Sequence, residues 1–370
     1  MMSPVPLNSV PLDSVPLNPL NLGLPSPGTQ TALEMLCPGE AAALVRERQT
    51  EFFLNHYPAF EAFCHDRLGL YQHIADNLWN FWFPLAYGLR HQRDQSRDHI
   101  PGPWVQGVVG LQGTGKTTLT QILTWILHQW GYRCLCLSLD DLYLPYSDRL
   151  RLQQENPDLI WRGPPGTHDV ALGLALLTGL QAQTAAAGIW VPRFNKALHG
   201  GAGDRDGAEW VSLPVDIVLF EGWFVGMAPL ADPMAQGLGS SLAHYCNRQL
   251  HHYLPLWNRL NALLILHLPQ THCSKLWRQE AEQKLNAQTQ SAMEQGEVDR
   301  FVDYFWEALP PAFFLDRLAT VSCPTQVVEL QADRSPPRFL DLKDLELKDL
   351  QLTNHSWFAK NRKSLKIPRD

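Results

Sequence analysis

The chain has 370 residues, 45% of them hydrophobic, so it is long enough to bury a sizeable core in one large domain with extensions. Its formal net charge of -7 argues against a nucleic-acid-binding protein, whose surface is normally basic. Its seven cysteines lack the spacing of a disulfide framework or a zinc site, which indicates a reducing compartment. We see neither a secretory signal nor an apolar run of roughly 20 residues that would span a membrane. We therefore expect a cytoplasmic protein that binds neither nucleic acid nor membrane.

The N-terminal part of the chain divides into a proline-rich arm and a helical segment. Residues 1–30 carry regularly placed prolines, as in "NSVPLDSVPLNPLNLGLP", and proline is excluded from helix interiors and sheet ladders, so we expect a disordered arm. Residues 31–98 have apolar residues at helical spacing, which predicts about three helices packed against the core. These helices are expected to end before a polar linker, "RHQRDQSRDH".

Residues 99–331 alternate apolar strands with helices, which predicts an α/β fold with a parallel sheet covered by helices on both faces. The expected strands are Trp104–Val109, Arg133–Leu139, Val215–Phe220, "ALLILHL" and "TQVVEL", and the expected helices are Lys116–Trp130, Asp169–Ala187 and a stretch around residues 274–294. Right-handed crossovers place the carboxyl ends of such strands along one ligand-binding edge. Residues 332–370 form a C-terminal tail whose "DLKDLELKDLQL" is either an amphipathic element or an irregular docking tail.

The segment "VVGLQGTGKTTLTQIL" carries the strongest functional signal, because Gly110 to Thr117 match the pattern G-x-x-x-x-G-K-[ST] between a strand and a helix. In this P-loop, backbone amides cradle phosphates, Lys116 reaches the β- and γ-phosphates, and the Thr117 hydroxyl binds Mg²⁺. We therefore predict a P-loop NTPase-type core that binds ATP and Mg²⁺. The predicted nucleotide-binding residues are Gly110, Gly113, Thr114, Gly115, Lys116, Thr117 and Thr118.

Acidic residues follow two of the predicted strands. In "SLDDLYLP", Asp140 and Asp141 can accept the proton of an acceptor hydroxyl or hold the metal, and a helix cap or turn is the alternative. If the extended conformation continues through both aspartates, their side chains point to opposite sides and have different roles. Glu221 ends "VDIVLFEGW" in the place of a Walker-B carboxylate, with a structural salt bridge as the alternative. We predict Mg²⁺ ligands at Thr117, Asp140 and Glu221.

Two polar inserts, "WRGPPGTHD" and "VPRFNKALHGGAGDRD", are predicted to be loops, the second around a flexible Gly200-Gly201-Ala202-Gly203. An enzyme that only hydrolyses ATP does not need them. Their cationic and hydrogen-bonding side chains suit a small, anionic, hydroxylated acceptor, since arginine binds a carboxylate in a bidentate manner. Each residue alone is more often an ordinary surface residue, so the prediction depends on their clustering. The predicted acceptor-binding residues are Arg162, His168, Asp169, Arg193, Lys196 and Arg205.

A charged stretch, "SKLWRQEAEQK", follows the fourth predicted strand and lies in a predicted lid around residues 271–296. It carries Lys275, Arg278 and Lys284. Lids of small-molecule kinases supply an arginine that closes over the transferring phosphoryl group, and we predict this role for Arg278. A solvated charged helix face is the competing interpretation.

The motifs GLQGTGKTT, SLDDLYLP, RGPPGTHD, VPRFNKALHGGAGDR and LFEGWFVG, in this order, resemble the D-glycerate 3-kinase family of plants and cyanobacteria. That family belongs with the phosphoribulokinase, uridine kinase and pantothenate kinase group of P-loop kinases. The resemblance covers about Pro103–Phe314 and implies transfer of the ATP γ-phosphate to the 3-hydroxyl of D-glycerate, giving 3-phosphoglycerate and ADP, as in the photorespiratory glycolate pathway. Its members often have phenylalanine where this chain has Leu142, an exchange of one apolar residue for another.

Motifs and resemblance together imply a mechanism. Asp140, which matches the D-x-[FL]-Y pattern of the related kinases, orients and deprotonates the glycerate 3-hydroxyl, while Arg193 and its neighbours hold the carboxylate. Lys116 and Arg278 offset the charge on the transferring group. Two alternatives stay open: a related kinase for a nucleoside, a pantothenate-like compound or a sugar phosphate, and a regulatory P-loop ATPase that switches a partner. The oligomeric state is not indicated.

Overall fold

A mainly parallel sheet forms the centre of the molecule. The structure is a computed structural model that describes residues 36–37, 39–182, 188–234, 237–289, 295–318 and 323–340. The strands are β1 (Trp104–Gly110), β2 (Cys134–Ser138), β3 (Gly188–Asn195), β4 (Asp204–Ser212), β5 (Ile217–Gly222), β6 (Ala262–His267), β7 (Thr325–Glu329) and β8 (Arg338–Leu340). Six of them form one sheet in the order β2-β5-β1-β6-β7-β8, in which only β8 pairs antiparallel. The five predicted strands and their parallel arrangement are confirmed.

Helices cover both faces of this sheet, which confirms the predicted α/β class. They are α1 (Ala42–Leu68), α2 (Ile74–Asn77), α3 (Phe83–Ser96), α4 (Lys116–Gln129), α5 (Tyr146–Glu155), α6 (Val170–Ala182), α7 (Ser241–Trp257), α8 (His272–Thr289), α9 (Gln295–Ala308) and α10 (Phe314–Leu318). The predicted core helices correspond to α4, α6 and α8, whereas α5, α7, α9 and α10 are not among them. Within the described ranges, no helix is both long and apolar enough to cross a membrane.

The side chains of β1 alternate between two hydrophobic cores, one on each face of the sheet. Val105 and Val109 lie in the core formed with α6, α7 and α9. Trp104 and Val108 lie in the opposite core, formed with α1, α3 and α4. All residues of β1 are buried, as expected for a central parallel strand covered on both sides. The phosphate-loop candidate therefore begins at the end of a rigid, enclosed strand.

The predicted polar linker within the N-terminal helical segment is wrong. After α2, a π-helical turn at Leu78–Trp82 leads into α3, which continues through the polar residues to Ser96. Arginine and glutamine are good helix formers, and a polar stretch can belong to a helix that packs on the core. Arg93 is buried, and the Arg90 guanidinium lies 5.4 Å from the Trp130 ring centre. A polar composition therefore led to the prediction of a linker where the chain forms the end of α3.

The second polar insert is a β-hairpin, not the flexible loop expected from its glycines. Strands β3 and β4 pair antiparallel from Gly188 opposite Ser212 to Asn195 opposite Asp204. The glycines of the connecting "HGGAG" all have positive φ, which glycine adopts without strain. Strand β4 has six exposed and three half-buried residues and lacks the apolar alternation by which a strand is recognised in a sequence.

Two predicted terminal segments lie largely outside the described residues. The proline-rich arm at 1–30 and the leucine and charge pattern within 341–370 are both outside, so these interpretations stay predictions. Strand β8 lies within the predicted C-terminal tail, so the sheet continues beyond the expected end of the core at residue 331.

Candidate active site

The register of the sheet brings three functional segments to one edge. Strand β5 lies between β2 and β1, and Glu221 is aligned with Ser138 on one side and Val108 on the other. The P-loop follows Val108 closely in sequence, and Asp140 follows Ser138. The carboxyl ends of these neighbouring strands therefore bring the loop, Asp140 and Glu221 together, where ligands bind in open α/β sheets.

The P-loop has the backbone conformation expected of a phosphate cradle. Gly113 and Gly115 have φ values of 76° and 80°, a region that favours glycine, and Gly115 leads directly into α4. Lys116 Nζ donates hydrogen bonds to the carbonyl oxygens of Gly110 and Leu111, both at 2.9 Å. A glycine-rich turn that opens a helix N-terminus favours an anion.

Three threonines lie in the P-loop and the first turn of α4, and one of them bonds to Glu221 at the end of β5. Thr117 Oγ1 donates to Glu221 Oε1 at 2.8 Å, whereas Thr114 Oγ1 donates to the Leu111 carbonyl at 2.7 Å. Thr118 is half-buried in the first turn of α4. Glu221 is 6% exposed, and burial raises the pKa of its carboxyl group. Hydroxyl and carboxylate oxygens at a phosphate loop are typical Mg²⁺ ligands, and phosphate and water oxygens complete its coordination.

Lys116 lies among charges that belong to the same site. Burial lowers the pKa of Lys116 to about 8, while the negative charges of Glu221 and Asp140 act in the opposite direction. The positive charges of Lys196 and Arg278 lower this pKa further. Lys116, its two neighbouring carboxylates, Lys196 and Arg278 of the predicted lid thus share one electrostatic environment.

Asp140 and Asp141 lie in a 3₁₀ turn, Leu139–Leu142, so the extended conformation does not continue through them. That premise is wrong because Ser138 forms a capping box that ends β2 and begins the turn. The two side chains nevertheless have different partners. Asp140 Oδ2 lies 2.7 Å from Lys196 Nζ. Asp141 Oδ2 accepts a hydrogen bond from the Ser138 amide at 3.2 Å, which is the capping role considered for an aspartate at this place.

Asp140 is ionised and partly accessible. Burial by itself would raise its pKa, but the charge and hydrogen bond of Lys196, with further contributions from His168 and Tyr143, outweigh burial and hold the pKa well below its usual value. Its side chain keeps 30% of its surface exposed, so a small molecule can approach it. A carboxylate that stays ionised beside a phosphate loop suits the acceptance of a hydroxyl proton.

Arg193 lies between two carboxylates. Its Nε and Nη2 atoms donate to Glu209 Oε2 at 2.9 Å and 2.6 Å. Its Nη1 atom donates to Asp141 Oδ2 at 2.9 Å and to the Cys136 carbonyl at 3.2 Å. The guanidinium therefore joins the hairpin to the end of β2. Its role in binding an acceptor carboxylate stays a prediction. To bind that carboxylate, Arg193 would have to give up some of these hydrogen bonds.

Other predicted acceptor residues also bond within the protein. Arg205 Nη2 donates to Asp169 Oδ2 at 2.9 Å, and Asp169 Oδ1 caps the N-terminus of α6. Arg162 Nη1 donates to the Gly201 carbonyl at 2.6 Å, which holds the hairpin turn. Lys196 has 58% of its side chain exposed, against 24% for Arg205, so Lys196 is the more accessible cation.

His168 lies in an aromatic enclosure beside Asp140. Its ring stacks on Tyr143 with centroids 4.5 Å apart, and its Nδ1 atom lies 2.9 Å from the Tyr253 hydroxyl oxygen. The side chain is 6% exposed, and burial lowers the pKa of His168 to about 3. The imidazole is therefore neutral near pH 7.

Tyr143, Tyr253 and Arg149 are residues near the site that the sequence reasoning missed. Arg149 donates to the carbonyls of Ala202 at 2.8 Å and of Gly203, so it holds the turn of the hairpin. Tyr143 lies within the motif SLDDLYLP, which could have identified it, but Arg149 and Tyr253 lie on helices outside the recognised motifs. Only the folded chain brings these distant positions together.

The predicted lid helix, α8, contacts the P-loop at its N-terminal end. Ser274 Oγ donates to the Gln112 carbonyl at 2.6 Å. A Cβ atom added to Gly113 would lie 2.9 Å from the Arg278 amide nitrogen, so glycine permits a close approach of loop and helix. The Arg278 guanidinium lies 5.9 Å from the Phe301 ring centre. This arrangement places Arg278 near the loop, and its action on a phosphoryl group stays a prediction.

The other two cations of this helix have less bearing on the site. Lys275 Nζ lies 2.5 Å from Asp303 Oδ1, and this ion pair joins α8 to α9. The side chain of Lys284 and residues 290–294 lie outside the described part of the chain. Closure of the lid at 271–296 stays a prediction.

The glycine-rich turn between β1 and α4, with its lysine and its threonine–glutamate pair, defines a P-loop nucleotide site on an α/β core. No family model matches the chain. The chain is 29% identical over 268 residues to "D-glycerate 3-kinase, chloroplastic" of Arabidopsis thaliana, a match that covers 69% of this chain and 58% of the relative, so less than two thirds of the plant protein is matched.

Two further comparisons identify the family. Over 219 residues the chain is 31% identical to the "Uncharacterized kinase mug58" of Schizosaccharomyces pombe, covering 55% of this chain and 78% of that kinase. The structure of D-glycerate 3-kinase from Cryptococcus neoformans var. grubii aligns with a TM-score of 0.64 at 26% identity, covering 70% of this chain and 99% of that chain. The chain belongs to the D-glycerate 3-kinase family of P-loop kinases.

Proposed function

We propose that this protein transfers the γ-phosphoryl group of ATP to the 3-hydroxyl of D-glycerate, giving 3-phosphoglycerate and ADP. The observation that carries the proposal is the position of Asp140, an ionised carboxylate 2.7 Å from Lys196 at the same sheet edge as Lys116. A proton acceptor beside an accessible cation suits a small anion that carries a hydroxyl group. The plant relative and the Cryptococcus structure both bear the name D-glycerate 3-kinase, which supports glycerate as the acceptor.

Each side chain has a defined part in the proposed reaction. Asp140 accepts the proton of the 3-hydroxyl as the hydroxyl oxygen forms a bond to the γ-phosphorus. The bond between that phosphorus and the β,γ-bridging oxygen breaks, and ADP leaves with the electron pair. Lys116 and Arg278 stabilise the charge on the transferring group. Lys196 binds the glycerate carboxylate, with Arg193 as a further candidate.

Mg²⁺ fits the residues around the end of the P-loop. Thr117 and Glu221 would hold the ion, because their oxygen atoms already lie 2.8 Å apart, and Asp140 is the third proposed ligand. When bound, Mg²⁺ neutralises charge on the phosphate oxygens. Glu221→Gln is expected to raise the Mg²⁺ concentration needed for half-maximal binding of a fluorescent ATP analogue, and an unchanged requirement would remove Glu221 from the metal site.

An ADP-release assay with an acceptor panel tests the proposed function. The panel contains D-glycerate, L-glycerate, pantothenate, uridine, ribulose 5-phosphate and a sample without acceptor. We expect ADP release to depend on D-glycerate, with 3-phosphoglycerate identified as the product by NMR. Turnover of another acceptor alone would indicate a related kinase, and release that is independent of any acceptor would indicate a regulatory ATPase.

We further propose a cytoplasmic location and a four-part organisation. The seven free cysteines support a reducing compartment, whereas the plant relative is described as chloroplastic. The proposed parts are an arm at 1–30, a helical segment at 31–98, a kinase core at 99–331 and a tail at 332–370 that adds β8 to the sheet of the core. Formation of 3-phosphoglycerate would link the enzyme to the photorespiratory glycolate pathway.

A further inference from the structure

Tyr253 and His168 form a buried hydrogen-bonded pair next to Asp140. Tyr253 lies on α7 and is 1% exposed. Its hydroxyl oxygen accepts a hydrogen bond from the Gly166 amide at 2.9 Å and lies 2.9 Å from His168 Nδ1. The phenol oxygen thus accepts one backbone hydrogen bond, and one ring nitrogen of His168 lies within hydrogen-bond distance of it.

These contacts determine where the protons lie. Burial raises the pKa of Tyr253 far above its usual value, so the phenol keeps its proton. Since the Gly166 amide only donates, the arrangement that satisfies both groups has the phenol proton donated to an unprotonated His168 Nδ1. A neutral imidazole carries one proton, and here that proton is on Nε2.

The Nε2 atom of His168 is buried and has no hydrogen-bond partner among the described residues. Its ring is held by Tyr143, Phe224 and Tyr253, whose ring centroids lie 4.5 Å, 5.4 Å and 5.8 Å away. The ring of His168 stacks on Tyr143, which lies three positions after Asp140 in the chain, and the charge of Asp140 acts on His168. A buried N–H group without an acceptor is unfavourable, so this position calls for an oxygen atom from a ligand.

We infer that His168 donates its Nε2–H to an oxygen of the phosphoryl acceptor, and that Tyr253 is a positioning residue that selects this tautomer. The inference rests on the proposed function. It requires an acceptor with a hydroxyl or carboxylate oxygen besides the hydroxyl that is phosphorylated. A neutral donor can bind such an oxygen beside Asp140, whereas an imidazolium would pair with the Asp140 carboxylate.

NMR of the full-length protein labelled with ¹⁵N-histidine tests the tautomer directly. The chain has 14 histidines, so the His168 signals are assigned by their loss in His168→Gln. In the wild type we expect a protonated Nε2 and an unprotonated Nδ1, and in Tyr253→Phe a mixture of tautomers. A wild-type Nδ1–H tautomer or an imidazolium at pH 7 would overturn the inference. Addition of D-glycerate should shift the Nε2–H signal, and the absence of any shift at saturation would exclude the donor role.

Kinetics of matched variants separate the donor role from simple packing. In His168→Gln, the side-chain amide places an N–H donor near the position of Nε2. In His168→Asn, the shorter side chain places its amide near the position of Nδ1 and leaves the Nε2 position without a donor. We expect the KM for D-glycerate to rise about tenfold in His168→Asn, which is the effect of losing one hydrogen bond. In His168→Gln the KM should stay within about threefold of the wild-type value. The KM for ATP should change by less than about twofold. Equal effects of both substitutions, or a change confined to kcat, would contradict the inference.

Failure of the inference and failure of the proposed function give different results. If the wild type phosphorylates no acceptor of the panel, the proposed function fails, while the NMR measurement on the ligand-free protein still tests the tautomer. If D-glycerate is phosphorylated but His168 carries its proton on Nδ1, the proposed function stands and the inference fails.

Discussion

Lys196 Nζ lies 2.7 Å from Asp140 Oδ2, so a cation of the hairpin insert forms an ion pair with the proposed base. The Lys196 side chain is 58% exposed, whereas that of Asp140 is 30% exposed. The more exposed partner can therefore turn towards an incoming carboxylate while Asp140 stays in place. This arrangement connects acceptor binding with the ionisation of the base.

Replacement of Lys196 by alanine is expected to change the pH dependence of the reaction. Without the cation, burial dominates and the pKa of Asp140 rises. A carboxylate with a raised pKa becomes protonated at a higher pH, so the acidic limb of kcat/KM, which reports the free enzyme, should move to a higher pH. Lys196→Arg should leave this limb nearly unchanged. The profile is measured from pH 8 down to the lowest pH at which the protein stays folded, and a limb at the same pH in wild type and Lys196→Ala would show that Lys196 does not control the base.

The adjacent aspartates should have separable roles. Asp140→Asn removes the proton acceptor and should lower kcat by at least about 100-fold while ATP still binds. Asp141→Asn weakens the ion pair with Arg193 and the cap on Ser138, so we expect a loss of about 1–2 kcal/mol in the free energy of unfolding and little change in kcat. Kinetics and urea unfolding of both variants check this assignment. An inactive Asp141→Asn with an active Asp140→Asn would exchange the two roles.

Arg193→Lys distinguishes a structural role from acceptor binding. Lysine keeps the charge but loses the planar fork that now joins Asp141 and Glu209. If these bonds persist in the working enzyme, the free energy of unfolding should fall by about 1–2 kcal/mol, with a small change in the KM for D-glycerate. A tenfold to hundredfold rise in that KM at unchanged stability, roughly the effect of a lost charged hydrogen bond, would identify Arg193 as the carboxylate clamp.

Lys116→Ala should abolish turnover and weaken ATP binding while the protein stays folded. Its ammonium group bonds to two loop carbonyls in the ligand-free chain and is expected to exchange them for phosphate oxygens. Calorimetric titration with ATP and circular dichroism measure binding and folding. Arg151→Ala, which removes one positive charge at an exposed position, is the matched control. Near-normal affinity and turnover in Lys116→Ala would exclude the nucleotide assignment.

His168 predicts a specific dependence of stability on pH. Burial lowers its pKa to about 3, below the value of about 6.5 in an unfolded chain. Between these values the unfolded state binds one more proton than the folded state, so this contribution to stability is full above pH 6.5 and falls as the pH decreases. Its slope approaches about 1.4 kcal/mol per pH unit. Urea unfolding between pH 4.5 and 7 should show a shallower slope for His168→Gln, and equal slopes would indicate an imidazole that is protonated in the fold.

The local P-loop and the sequential order of strands and helices were predictable from the sequence. The residues from Gly110 to Thr117 act through backbone torsions and a helix start, which depend on near neighbours in the chain. The apolar runs of β1 and β5 indicated buried parallel strands because a strand covered on both faces carries no polar alternation. The prediction that Asp140 and Glu221 lie at the same edge of the sheet needed only the rule that the carboxyl ends of parallel strands lie together.

Elements with atypical composition were not predictable in the same way. The polar end of α3 resembled a linker, because packing through Arg90 and Arg93 does not appear as an apolar pattern. The exposed strand β4 resembled a loop for a similar reason. In both cases contacts with distant parts of the chain stabilise an element whose local sequence gives a weak signal.

Tertiary structure alone decided which partner each polar side chain has. The sequence by itself determined that arginines, a lysine and carboxylates cluster in two inserts, but side-chain type does not determine pairing. The fold places Arg193 between Asp141 and Glu209, and it pairs Lys196 with Asp140 in an ion pair. It also joins His168 to Tyr253 across 85 positions of the chain. Such pairs depend on distances of about 3 Å, which arise only when separate elements pack in one arrangement.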